Sequence, residues 1–153
     1  MRIALVAPPW YRVPPRDYGG TEAVVSFLAE GLVAHGHDVT LFATGDSQSA
    51  ATVRAIYPAP TDLDESAWAT DALHTSAAFF DCATQFDVIH NHTPVSGFLF
   101  GQFTNTPLVH TIHTNVTAHA ANAPFYRSWP GRSLIVISES QRRLLQHPES
   151  VWV

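Results

Sequence analysis

The chain has 153 residues, 46% apolar, 11% aromatic and 14% charged, which is room for one globular domain with a substantial core. Thirteen acidic residues against eight basic ones give a net charge of -5, so the basic surface that a nucleic acid or an anionic membrane would need is missing. All eight basic residues are arginines, which excludes a Schiff-base lysine and a phosphate loop of the G-x-x-x-x-G-K type.

Ile3 to Ala7 is an apolar run closed by Pro8-Pro9, the pattern of a strand buried on both faces. A long loop rich in proline and aromatics follows, and Gly19-Gly20-Thr21-Glu22 opens a helix in which Val25, Leu28, Leu32 and His35 recur at helical spacing. Thr21 is its candidate N-cap, Glu22 sits favourably against the dipole, and Gly36 is the stop. Val39 to Ala43 is the second strand, at the distance expected of a right-handed parallel crossover. Thr52 to Tyr57 predicts a short third strand before Pro58 and Pro60. Trp68, Ala72, Ser76, Phe79, Phe80 and Ala83 then trace one face of a second long helix.

Asp87 to His90 is a strand, and Pro94 suits the first turn of a helix through Phe103. Leu108 to Ile112 is the next strand, Thr114 to Pro124 reads as irregular or weakly helical, and Leu134 to Ile137 is a further buried strand. Ser138-Glu139-Ser140-Gln141 is a capping box ahead of Leu144-Leu145, and Val151-Trp152-Val153 starts another strand. Strands alternating with helices predict an α/β fold: a doubly wound, mostly parallel sheet with helices on both faces.

Ligands of such sheets bind beyond the carboxyl ends of the strands. Gly19 and Gly20 precede the first helix, where backbone N–H groups and the dipole can meet a diphosphate; two glycines can also simply make a turn. The G-x-G-x-x-G fingerprint is absent there, which argues against a nicotinamide enzyme, and no G-x-S-x-G elbow offers a nucleophilic serine. His90-Asn91-His92 and His110-Thr111-Ile112-His113 bring up to four imidazoles to one sheet edge. His90 and His92 share a face while His110 and His113 point to opposite ones, so the spacing is against a four-ligand metal cage. His35, His37, His74, His119 and His147 read as surface or helix-end residues. Cys82, the single cysteine, reads as a small core residue; it excludes an intramolecular disulfide and fits a reducing, cytoplasmic compartment. Trp10, Tyr11 and Tyr18 can stack on a sugar or base, or pack against another domain.

Three segments carry a family resemblance: Arg2-Ile3-Ala4-Leu5-Val6-Ala7-Pro8, Tyr18-Gly19-Gly20-Thr21-Glu22, and Leu32 through Ala43 with its His35-Gly36-His37-Asp38 centre. Asp87 to His92, Pro107 to His113 and Val136 to Ser140 follow in order. The set resembles the opening of glycosyltransferase family 4. That resemblance implies the N-terminal, acceptor-binding domain of a GT-B fold, in which two Rossmann-like domains face each other across a cleft.

It further implies transfer of a sugar from a nucleotide-sugar to a sugar or lipid-linked acceptor, with retention of configuration and with neither metal nor other cofactor. Gly19 and Gly20 match the glycine loop that approaches the donor diphosphate. His113 matches the catalytic histidine that contacts the donor sugar, Thr114 beside it faces the acceptor, and Asn91 and His92 belong to the same substrate-binding edge. Residues 1–150 are then the acceptor-binding domain, and 151–153 the start of an absent C-terminal donor-binding domain. The basic residues that stabilise a leaving diphosphate belong to that half or to a separate subunit, so this chain alone is expected to be inactive. A homo-oligomer is compatible with the wide cleft face. Two alternatives stay open on the residues: a non-catalytic Rossmann-like binding module, and a His-dependent metallohydrolase.

Overall fold

The structure, a computed structural model, describes residues 1–64, 66–82, 85–114, 133–145 and 150–152. The readings of Asn115 to Pro124, of His119 and His147, of Ala83 and Val153, and of the Cys82 side chain fall outside what is described. Seven strands form one sheet: β1 (Arg2–Val6), β2 (Asp38–Phe42), β3 (Thr52–Arg54), β4 (Val88–Asn91), β5 (Leu108–Ile112), β6 (Ser133–Val136) and β7 (Ser150–Trp152). Their order is β3-β2-β1-β4-β5-β6-β7 and every pairing is parallel. The described helices are α1 (Gly20–Ala34), α2 (Ala67–Cys82), α3 (Val95–Gly101) and α4 (Glu139–Leu145). This is the doubly wound α/β architecture expected. The strand order reverses between β1 and β4, the place where such sheets open a ligand crevice.

The core follows the strand pleat. Ile3 and Leu5 face α1 with Val25, Ala29 and Leu41, while Ala4 and Val6 face α2 with Ala78, Phe79 and Ile89. A third cluster joins Phe98, Ile112, Leu134, Val136 and Leu145 beneath α3 and α4. Residues 151 and 152, expected to begin a further domain, pair with Ile135 and Val136 and so lie in this sheet as the edge strand β7.

Both ends of α1 depend on glycine. Gly19, not Thr21, is the N-cap: it stands at φ +146° with no side-chain cap, and a Cβ there would meet Pro15 Cβ at 2.8 Å. The turn geometry thus decides where the helix starts, and Thr21 falls inside its first turn. At the other end Gly36, at φ +81°, donates to Val33 O at 2.9 Å while His37 N–H donates to Leu32 O at 3.1 Å. That bond pair is a Schellman stop.

The second helix is rotated from its sequence reading. Trp68 and Phe80 are 69% and 84% exposed, whereas Asp71, His74 and Thr75 are buried beside Ala78 and Phe79. Polar groups face inward because each finds a partner there: His74 Nε2 bonds Ala7 O at 2.9 Å, Thr75 Oγ1 bonds Ser96 Oγ at 3.1 Å, and Ser96 Oγ donates to Asp71 Oδ2. His74, read from sequence as a surface residue, is thus a core residue. Among the described residues no helix is long and apolar enough to cross a membrane.

Candidate functional site

The carboxyl ends of β4 and β5 carry two separate histidine arrangements. Pleating sends Asn91 and His110 to the α3 side, where Asn91 Nδ2 donates to His110 Nδ1 at 2.6 Å and to Thr93 O at 3.0 Å. Thr93 Oγ1 returns a bond to Asn91 Oδ1 at 2.9 Å, and Phe98 lies against the His110 ring, centroids 3.7 Å apart. Asn91 is therefore closed to solvent with its amide fully engaged. Ser96 continues the network to Thr93 Oγ1 at 3.2 Å and to the Asp71 carboxyl on α2. Asp71 Oδ1 has no partner, and burial raises the Asp71 pKa to about 6.

On the opposite face His90, His92 and His113 stack. Their successive ring centroids lie 4.2 Å and 5.2 Å apart, and His92 Nδ1 and His113 Nε2 share a hydrogen bond of 2.8 Å. His90 Nε2 is paired with Thr111 Oγ1 at 2.8 Å. Burial holds His90 and His113 down to about 4 and pushes His92 and His110 well below the usual imidazole range, so all four are neutral near pH 7. In the His92–His113 bond one ring donates and the other accepts, and the buried His92 Nε2 is left without a partner. Among the described residues no group of three or more His, Cys, Asp or Glu side chains is arranged to hold a metal.

His113 and His92 line a small recess that also takes in Trp10, Thr21 and Thr114. It shares Trp10, Thr21 and His113 with a solvent-open cleft of about 520 Å3 bounded by Gly19, Gly20, Glu22 and Tyr18. The sequence-predicted residues Gly19, Gly20, His92, His113 and Thr114 are thus gathered at one edge; Asn91 braces that edge from behind. Glu22 is 2% exposed, with a carboxyl that burial pushes up and its own backbone N–H partly pulls back. It sits in the first turn of α1 close to Gly19. Gln141 is the member that sequence reasoning left as a helix cap. Its Nε2 donates to Ile112 O at 3.0 Å and Thr114 O at 2.9 Å, on either side of His113.

No significant match is found among curated protein sequences. Among solved structures the fold is similar to a sucrose-phosphate synthase from Thermosynechococcus elongatus, with TM-score 0.68 and 18% identity over 99% of this chain and 47% of that one. It is also similar to AviGT4, a glycosyltransferase involved in avilamycin A biosynthesis, with TM-score 0.57 and 21% identity over 95% of this chain and 39% of that one. The chain therefore spans less than half the length of either. At such identities these likenesses establish the fold. The family model of glycosyltransferase family 4 matches residues 18–151, and the chain belongs to that family.

Proposed function

We propose that this chain is the acceptor-side half of a retaining glycosyltransferase. The observation that carries the reading is the shared cleft: the glycine-led N-terminus of α1, suited to a diphosphate, and the His113 imidazole open onto one space. In this scheme Gly19 and Gly20 approach the donor diphosphate, and His113 hydrogen-bonds a hydroxyl of the donor sugar. Thr114 and His92, with its free Nε2, meet the acceptor side, and Asn91 keeps the edge in place. The bond from the anomeric carbon to the diphosphate oxygen breaks, its electrons leaving with the diphosphate. The acceptor hydroxyl oxygen bonds that carbon on the same face, and its proton passes to the diphosphate. The reaction is proposed to need neither metal nor other cofactor, and to run in the cytoplasm.

Among the described residues no cationic side chain lines the cleft. Charge developing on a leaving diphosphate needs preorganised positive partners, so a donor-binding domain or subunit is proposed to supply them. The test is a nucleotide-release assay with a panel of nucleoside diphosphate sugars. The chain alone is expected to be silent. Supplied with a donor-binding domain it should turn over, and His113→Ala should cut that rate about 100-fold or more. Efficient turnover by the chain alone, or indifference to His113→Ala, overturns the scheme. Ligand binding that never leads to turnover would mark a binding module instead.

A further inference from the structure

We propose that Gln141 is a positioning residue for His113: its side-chain amide clamps the backbone on both sides of that histidine to the start of α4, and so sets where the imidazole stands in the cleft. The inference rests on the reading of His113 as a ligand-contacting group and extends it to a residue outside the cleft.

A capping-box glutamine needs only its oxygen, reaching back to the chain just ahead of the helix. In Gln141 the oxygen reaches one residue past the N-cap: Oε1 accepts from Ile137 N–H at 2.9 Å, while the backbone N–H of Gln141 donates to Ser138 Oγ at 3.1 Å. The two protons on Nε2 go elsewhere. They reach the carbonyls of Ile112 and Thr114, 29 and 27 residues away in sequence, at 3.0 Å and 2.9 Å. Gln141 is 6% exposed, so losing either bond would leave a buried polar group without water to replace it. His113 lies between the two clamped carbonyls, and its ring is held at the far end by the 2.8 Å bond to His92. The imidazole is therefore fixed from its backbone and from its tip. Swinging it requires breaking the clamp or the ring pair.

The experiment is a histidine titration by NMR on the chain without any ligand, comparing the native protein with Gln141→Ala, Gln141→Glu and Ser138→Ala. Gln141→Glu keeps the shape and the acceptor for Ile137 but replaces the amide donor that holds the two carbonyls. Burial holds the native His113 midpoint down at about 4, so across the mildly acidic range in which the fold persists the native ring stays neutral. Gln141→Ala is expected to move it up toward the ordinary histidine value, by about one pH unit or more, as the loosened loop lets water in, and Gln141→Glu should move it further because its carboxylate also favours the charged imidazole. The His110 signal, fixed by Asn91 on the other face, should stay where it is. Ser138→Ala removes the helix cap alone and should lower Tm without moving His113.

A His113 midpoint that stays put in both Gln141 variants overturns the proposal. So does an equal movement in Ser138→Ala, or a loss of the whole fold in both Gln141 variants, because each would make Gln141 a general structural residue. The titration involves no donor or acceptor, so its failure is separable from failure of the transfer reaction. A clamp seen without turnover removes the proposed function; turnover with an unmoved His113 removes the clamp.

Discussion

Gly97→Ala is expected to lower the unfolding free energy by about 3 kcal/mol or more, from overpacking and broken buried hydrogen bonds together, and to reduce Tm by roughly 10 °C. A Cβ built on Gly97 falls on the side-chain amide of Asn91. An exposed asparagine would step aside at little cost. Asn91 has no such route, being fully enclosed and bonded to Thr93 and His110 at once. Moving it leaves His110 Nδ1 and Thr93 Oγ1 short of partners in a space closed to water. Thermal and urea unfolding measure the loss, and Gly31→Ala is the control, since a Cβ at that helical position meets nothing within 4 Å. The control should gain roughly 0.5–1 kcal/mol from helix propensity. Equal stability of Gly97→Ala and the native chain would show that Asn91 is not confined as described.

Stability should also fall steeply in mild acid. His74 and His90 titrate at about 4 in the fold, against 6.5 for a free imidazole. The unfolded chain therefore takes up protons first as the pH drops below 6.5, and each residue costs about 2 kcal/mol of stability by pH 5. His92 and His110 act in the same direction. Asp71 opposes them: burial raises it from 3.8 to about 6, so the fold holds its proton more tightly and its contribution improves as pH falls through 6 toward 3.8. Urea unfolding at pH 7 and pH 5 should show a net loss of several kcal/mol. Asp71→Asn should stabilise the chain above pH 6 and make the acid loss steeper. A flat profile between pH 7 and pH 5 would mean that the imidazoles are not held neutral by burial.

The alternation of elements was legible because the strands are nearly continuous apolar runs: Ile3 to Val6 and Val39 to Phe42 are buried on both faces, and such runs need no periodicity to be recognised. The division of the four histidines between two faces was legible for an equally simple reason, the two-residue period of a strand. The orientation of α2 was not. Hydrophobic periodicity assigns polar residues outward, so it pointed Trp68 and Phe80 at the core, where the protein has Asp71, His74 and Thr75. What reverses the assignment is the supply of partners: Ala7 O at the end of β1 and Ser96 on α3 are 67 and 25 residues distant from the side chains they satisfy. Gln141 was half legible. The capping box announces its oxygen, and nothing local announces that its nitrogen reaches β5.

The closeness of Gly97 and Asn91 also bears on how related chains can diverge. The two positions occupy one volume, so neither can change freely while the other is fixed. A relative that carries a side chain at the position of Gly97 is expected to carry a residue shorter than asparagine at that of Asn91, and to have lost the bond to its counterpart of His110. Substitutions here should then be inherited in sets, with single intermediates disfavoured and pairs such as Gly97→Ala with Asn91→Ser recovering stability that neither change allows alone.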